Sequence, residues 1–264
     1  MVGIPPEARY TSTEISAPSL VSMIESSLEL LHDRCSAVTN IEVGSGCSRL
    51  DSTASHVMVA RDDGYVAIYD NSVEEVDVIA AHDDMVSSLS LDTVDDDPQF
   101  MCSCGWDEAV VLWDLHLLDQ PLLTIESAHR GPVMDISFAP KDPHNFVSIG
   151  HDGFVRRWDS RCGDDAVSIL NCGQRGSSLT FADDLTIVAG LIDGRICCYD
   201  ARKCSGQIAE HNFEDPIRRV KRLHPLNDWI GVATNHGYTV LSFKLGQIVI
   251  HDRYSSETNF HIHP

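Results

Sequence analysis

One short pattern recurs along this chain and constrains its fold more than any other feature. An aspartate, usually followed by glycine, lies six residues before an aromatic residue, which is usually followed by a second aspartate. The closing aromatic residues follow one another at intervals of 44, 45, 41 and 44 residues. Such a steady interval predicts repeated units of about 40 to 45 residues each. The copies are Asp63 with Tyr69, Asp107 with Trp113, Asp152 with Trp158, Asp193 with Tyr199, and a weaker fifth, His236 with Phe243.

The third repeat is typical of a four-stranded unit. Its first run alternates apolar and polar residues and ends at Pro140, because proline cannot donate to a strand ladder. Asp152-Gly153 favours a tight hairpin later in the repeat. Four short strands cannot bury both faces of a sheet alone, so the repeats must stack around a common axis, as in a β-propeller. The predicted strands are Val133–Phe138, Phe146–Ile149, Phe154–Trp158 and Ala166–Leu170.

A histidine precedes three of the closing aromatic residues at nearly the same interval. His82, His129 and His211 precede them by 31, 29 and 32 residues. We predict that this histidine, the turn aspartate and the closing tryptophan form a buried hydrogen-bonded chain. Because the same set recurs, whereas an active site would occur once, we interpret it as structural. The predicted blade-network residues are His82, Asp107, Trp113, His129, Asp152, Trp158 and Asp193.

These paired marks resemble the WD-repeat family, with Ala-His or Glu-His in place of its glycine-histidine dipeptide. The resemblance covers residues 37–250 and implies an all-β, seven-bladed WD40-type β-propeller. Five complete blades are readable, and Gln247–His251 is interpreted as the start of a sixth. We therefore expect a propeller over residues 37–264, with incomplete blades at both ends. Residues 1–36 are expected to contribute ring-closing strands or a short helix.

The net charge indicates which classes of partner the chain binds, and the positions of its cysteines indicate its compartment. The chain has 40 acidic residues against 19 lysines and arginines, a formal net charge of −21. This field repels phosphate backbones and anionic membranes, so we expect neither nucleic acid nor a membrane as a partner. The nine cysteines lie mostly in strand-like runs rather than at the spacing of a disulfide scaffold. They indicate a reducing compartment, and we expect a cytoplasmic and nuclear protein.

The sequence contains no nucleophile elbow, phosphate loop, dinucleotide fingerprint or paired-histidine zinc helix. It therefore predicts a binding platform that is not an enzyme and uses no cofactor or metal. Acidic clusters fall in predicted loops, where binding residues concentrate, and can hold basic tails through charge-assisted hydrogen bonds. Solvated loop charges without a partner are an equally good interpretation of any single cluster. The candidate positions are Asp83, Asp84, Asp95, Asp96 and Asp97.

Two stretches resemble the WD-repeat subunits of methylosomes. Residues 80–90, with a double aspartate after the histidine, resemble the second blade of that subfamily, and Trp158–Cys162 resembles the end of its fourth. The resemblance implies a propeller that binds the type II protein arginine methyltransferase. It also implies presentation of Arg-rich substrates such as histone tails and Sm-type spliceosomal proteins. Residues 1–36 show no clear counterpart of the first blade of that subfamily, which contributes to the contact with the enzyme.

An alternative role is a substrate receptor of a cullin-based ubiquitin ligase. Such receptors use an aromatic-Asp-x-Arg ending to dock their adaptor, and two repeats match it, ending at Arg161 and Arg202. Either arginine would then pair with a carboxylate of the adaptor. The simpler interpretation is that each arginine pairs with a neighbouring loop of its own blade. A generic assembly scaffold is a third hypothesis.

Overall fold

The repeats fold as strands in the part of the chain that the structure describes. The structure, a computed structural model, describes residues 46–255 apart from 54–55, 71–73, 93–97, 204–205, 225–226 and 245–246. These residues belong to one unit that spans residues 42–264, and no helix occurs among them. The strands are β1 (Cys47–Ser52), β2 (His56–Arg61), β3 (Tyr65–Asp70), β4 (Glu75–Ala80), β5 (Val86–Leu91), β6 (Phe100–Gly105), β7 (Val110–Asp114), β8 (Leu123–Ile125), β9 (Val133–Ala139), β10 (Asp142–Gly150), β11 (Phe154–Asp159), β12 (Ser168–Asn171), β13 (Gly176–Phe181), β14 (Thr186–Leu191), β15 (Arg195–Asp200), β16 (Gln207–Asn212), β17 (Ile217–His224), β18 (Asn227–Thr234), β19 (Gly237–Lys244) and β20 (Gln247–Ser255).

The described strands form five antiparallel sheets, the blades, each made of four consecutive strands. Blade one contains β1 to β4, and the others follow in chain order to blade five, which contains β17 to β20. In three blades the turn between the second and third strands contains a left-handed glycine, with φ of 90° at Gly64, 81° at Gly153 and 91° at Gly194. Glycine suits this turn because it has no Cβ to clash with the backbone. Blade two has Glu108 at this place, with φ of 70°.

The hydrophobic core lies between neighbouring blades. The inner strands β1, β5, β9, β13 and β17 contact one another in this order. Each cluster of buried apolar side chains draws on two consecutive blades: Ile68 of blade one, for example, shares a cluster with Trp113 of blade two. Burial of this apolar surface is the dominant favourable term in folding. Since each blade completes its core with its neighbours, the stacking predicted from the repeat is present.

Asp135, in the middle of β9, is fully buried and ties the inner strands together. Its carboxylate accepts hydrogen bonds from the hydroxyls of Ser88 at 2.7 Å and Ser178 at 2.6 Å, on the two neighbouring blades. The guanidinium groups of Arg49 and Arg219, on blades one and five, lie 2.7 and 3.4 Å from it. A carboxylate can be buried as an ion only when it is paired in this way. This one group therefore contacts the inner strands of the other four described blades.

The WD40-type propeller architecture predicted from the sequence is confirmed. All four strands predicted for the third repeat are present as β9 to β12, although β10 starts earlier than expected, at Asp142. The interpretation of Gln247–His251 as the start of a sixth blade is wrong. This run pairs with β19 and completes blade five, because Ile248 packs against the core of that blade. The segment 1–36 and the incomplete N-terminal blade lie outside the described residues, and the number of seven blades stays a prediction.

Candidate functional site

Hydrogen bonds between loops divide the strand ends into two faces. On one face, the connection into a blade meets the turn between its second and third strands, where the Trp106 amide donates to the Met85 carbonyl at 2.9 Å. On the other, the loops between the first two and the last two strands meet, where the Ala201 amide donates to the Leu185 carbonyl at 2.7 Å. The histidine face comprises residues 81–85, 105–109, 126–132 and 150–153. The arginine face comprises residues 139–145, 159–167, 182–185 and 200–203.

In blade two, a chain of hydrogen bonds runs from the histidine face into the core. The Nδ1 atom of His82 lies 3.0 Å from the carboxylate of Asp107, and its Nε2 atom lies 2.9 Å from Oγ of Ser103. The indole of Trp113 donates to the same Oγ at 3.1 Å. Because a carboxylate only accepts, His82 donates to Asp107 through Nδ1, while its Nε2 atom shares a hydrogen bond with the Ser103 hydroxyl. Each side chain of this hydrogen-bonded chain in blade two therefore has a partner.

Blade three repeats this arrangement. His129 lies 2.9 Å from Asp152 and 2.7 Å from Oγ of Ser148, which also accepts from the Trp158 indole at 2.9 Å. Arg156 adds a charge that blade two lacks, since its guanidinium lies 2.8 Å from the Asp152 carboxylate. The structure thus brings together six of the seven residues predicted for the blade network, three in each of two blades.

Burial and pairing shift the pKa values of this network. Burial lowers the pKa of His129, and the opposing effect of Asp152 does not restore it to its ordinary value. Burial alone would raise the pKa of Asp152, but hydrogen bonds from His129, a backbone amide and Arg156 hold it well below its usual range. The pKa of Asp107 is likewise lowered, because the contact with His82 outweighs the effect of burial. Both aspartates are therefore ionised, which suits their role as acceptors.

The two serines were missed by the sequence analysis. Ser103 and Ser148 each lie ten residues before the tryptophan to which they connect the histidine. The same offset in two repeats was the signal that could have found them. In blades four and five the residues at this offset are Ala189 and Ala233, which carry no hydroxyl group.

Asp193 does not join such a chain, contrary to the prediction. Its side chain is 30% exposed and lies 2.7 Å from the Arg195 guanidinium. The reason is that Cys172, rather than a histidine, precedes the first strand of blade four. In blade five this place belongs to Phe213, whereas His211, singled out by its interval, lies within β16.

The acidic candidates divide between described and undescribed residues. Asp83 and Asp84 are exposed on the histidine face, directly after His82. The Asp84 carboxylate accepts the Met85 amide at 2.7 Å. That of Asp83 has no partner among the described residues. Asp95, Asp96 and Asp97 lie outside the described residues.

Arg161 and Arg202 lie on the arginine face of blades three and four. Arg161 donates from Nε and Nη2 to both carboxylate oxygens of Asp159, at 2.8 and 2.7 Å. Arg202 holds Asp200 in the same way, at 3.1 and 3.0 Å. These contacts lower the pKa of Asp159 and lower that of Asp200 to about 2. Both guanidinium groups are therefore held by their own blades, yet they remain 54% and 64% exposed.

The described residues contain no group of three His, Cys, Asp or Glu side chains placed to hold a metal ion. Nor do they form any helix with the length and hydrophobicity to cross a membrane. Burial raises the pKa of the Cys104 and Cys198 thiols to about 12, so these groups are protonated at neutral pH.

Comparison with known proteins agrees with this geometry. The family model described as WD domain, G-beta repeat matches residues 73–114 and 120–159, the segments that end at the two tryptophans. Each of these two segments is similar to a WD40 repeat. The β-propeller domain of Cps50 (Swd1) from Myceliophteria thermophila superimposes with a TM-score of 0.71, at 15% identity over 81% of this chain and 74% of that chain. The match supports the β-propeller fold of this chain and says nothing of its partners.

Two curated relatives match parts of this chain. Methylosome protein WDR77 of Xenopus laevis is 32% identical over 121 residues, which cover 44% of this chain and 35% of that protein. Human DDB1- and CUL4-associated factor 6 is 30% identical over 98 residues, which cover 33% of this chain and 11% of that protein. The chain spans less than half the length of the curated relatives it matches.

Proposed function

We propose that this WD-repeat protein is a non-catalytic scaffold that binds a protein arginine methyltransferase and presents Arg-rich protein segments to it. The observation that carries the proposal is the pair of exposed carboxylates of Asp83 and Asp84 on the histidine face, in a chain of net charge −21. Complementary charge accelerates association with basic segments and selects them against acidic ones. The similarity to Methylosome protein WDR77 supports this assignment. A cytoplasmic and nuclear location belongs to the same proposal.

Affinity capture from cell extract tests this function. The tagged chain is expected to retain the arginine methyltransferase together with histones or Sm proteins. The variant Asp83→Asn/Asp84→Asn is expected to retain less of the basic substrates. The control is Asp164→Asn/Asp165→Asn, which removes the same charge from exposed residues of the arginine face. Failure to recover the methyltransferase with the unmodified chain would overturn the proposal.

A second candidate, a substrate receptor of a cullin-based ligase, is favoured by the geometry of two arginines. Arg161 and Arg202 are oriented by carboxylates two residues earlier, while Nη1 of each has no partner among the described residues. A pre-oriented guanidinium loses little side-chain entropy when it binds a carboxylate of another protein. The similarity to DDB1- and CUL4-associated factor 6 points to the same role.

The two candidates separate in a single capture experiment. Recovery of a ligase adaptor that is lost with Arg161→Ala/Arg202→Ala supports the receptor role. Arg130→Ala is the matched control, because Arg130 is an exposed arginine on the histidine face. An adaptor that binds the double variant as well as the unmodified chain rules out docking through these arginines.

A further inference from the structure

A cleft of about 450 Å³ opens on the histidine face at the outer part of blade two. Its walls carry the carboxylates of Asp83, Asp107 and Glu126 and the small side chains of Ala109 and Val111. Asp83 and Glu126 are exposed, and the Asp107 side chain is 16% exposed. None of the described residues that line the cleft is a lysine or an arginine. It therefore offers three acidic groups around an empty space.

Blade three shows what occupies the same place. Strand pairing aligns Ala109 and Val111 with Phe154 and Arg156. The Arg156 guanidinium lies 5.3 Å from the centre of the Phe154 ring and donates to the carboxylate of Asp152 at 2.8 Å. In blade three these two large side chains occupy the position that corresponds to the cleft. In blade two their smaller counterparts, Ala109 and Val111, leave the cleft open.

The turn aspartate of blade two is also the exception among its equivalents. In the other described blades that have this aspartate, an arginine of the same blade pairs with it. Asp107 accepts hydrogen bonds from His82 and from the amides of Asp83 and Ala109, but no lysine or arginine of the described residues reaches it. In addition, Asp83 stands where blade three has Arg130, so the local charge is reversed. The pairs are Arg61 with Asp63, Arg156 with Asp152, and Arg195 with Asp193.

We infer that the blade-two cleft binds the guanidinium of an arginine from a protein partner, in the place that Arg156 occupies in blade three. The inference rests on the proposed function and assigns a binding site to the Arg-rich segment. A planar guanidinium donates five hydrogen bonds in a fixed fork and can contact several carboxylates at once. A lysine ammonium is a compact, strongly hydrated point charge and suits the cleft less well.

The probe is an acetylated Gly-Arg-Gly-Gly-Arg-Gly peptide, whose binding is measured by calorimetry at low and physiological salt. The double variant Asp83→Asn/Glu126→Gln is expected to bind it at least roughly tenfold more weakly, since charge-assisted hydrogen bonds are lost. Val111→Arg places an arginine where blade three has Arg156, and is expected to abolish binding by filling the cleft. Asp164→Asn/Asp165→Asn is the control for a change in net charge alone. Citrulline and lysine versions of the peptide test the guanidinium itself.

Each outcome decides the inference. Binding that is specific for arginine, lost in both cleft variants and kept in the control, supports the site. Thermal melts identify a Val111→Arg protein that does not fold, in which case the Asp83→Asn/Glu126→Gln variant decides alone. Equal binding by this variant and the unmodified chain, or equal binding of the citrulline peptide, overturns the inference. Intact peptide binding without capture of a methyltransferase from extract would refute the proposed function and leave the cleft assigned.

Discussion

Arg49 and Asp135 are 86 positions apart in the chain, yet Nη2 of the arginine lies 2.7 Å from Oδ1 of the aspartate. The contact joins the inner strands of blades one and three, across blade two. The Asp135 side chain is fully buried, and the Arg49 side chain is 17% exposed, so water screens the pair only weakly. The ion pair links the inner strands of these two blades, and Asp135 also contacts Arg219 of blade five at 3.4 Å, so the position of one carboxylate is coupled to three blades.

Asp135→Asn is expected to destabilise the protein by about 3 kcal/mol, because removal of one partner leaves buried arginine charge uncompensated. Urea unfolding measures the loss, and Asp165→Asn, an exposed carboxylate, is the control. In a double-mutant cycle with Arg49→Met, the two effects are expected to be non-additive. Strict additivity would show that the pair is not coupled.

Asp152→Ala is expected to cost about 1 to 3 kcal/mol, because it removes the carboxylate that both His129 and the Arg156 guanidinium contact. Asp193→Ala, at the equivalent turn of blade four, is expected to cost less than about 1 kcal/mol, because its partner Arg195 is partly exposed and exposed ion pairs contribute little. Thermal melts of the two variants compare them directly. Equal losses would mean that the buried chain of blade three adds nothing to a simple turn contact.

Stability should fall in two steps as the pH is lowered. Burial lowers the pKa of His129 in the folded protein below its ordinary 6.5, so the unfolded chain binds the proton more readily. Stability is therefore complete above pH 6.5 and declines as the pH falls from there towards the lower folded pKa. A second loss begins below the ordinary pKa of 3.8 for Asp152, which is also lowered on folding. Urea unfolding between pH 7.5 and 5.5 should show a flatter profile for His129→Gln than for the unmodified chain; matching profiles would contradict the first step.

The repeat interval predicted the fold well because each blade depends mostly on local information. Alternating residues, the turn at Asp152 and the closing Trp158 lie within one repeat and specify its strands. The blade to which Gln247–His251 belongs could not be predicted from the repeat, since a short apolar run fits an inner strand as well as an outer one. Which of the two it becomes depends on contacts with blade five, which form only in the folded protein.

The candidate site was predicted in part. Asp83 was identified from the acidic loop, but the cleft beside it depends on Val111, a residue with no chemical signal of its own. Val111 is seen to leave space for the cleft only when strand register aligns it with the larger Arg156 of the next blade. The role of Asp135 was equally hidden, because a single aspartate in an alternating strand looks like a solvent-facing residue until five inner strands are placed around it.

Glu108→Gly is expected to stabilise blade two. Glu108 has φ of 70°, whereas the equivalent turns use Gly64, Gly153 and Gly194. A left-handed conformation costs a residue with a Cβ about 1 to 2 kcal/mol, and glycine returns about 0.4 to 1 kcal/mol of this through the greater freedom of the unfolded chain. The net gain is therefore expected to reach up to about 1.6 kcal/mol, measured by urea unfolding. Gly153→Glu, the reverse change at a turn where the Gln174 carbonyl lies 3.0 Å from an added Cβ, should destabilise blade three. A loss of stability in Glu108→Gly would mean that the glutamate side chain contributes more than the backbone strain removes.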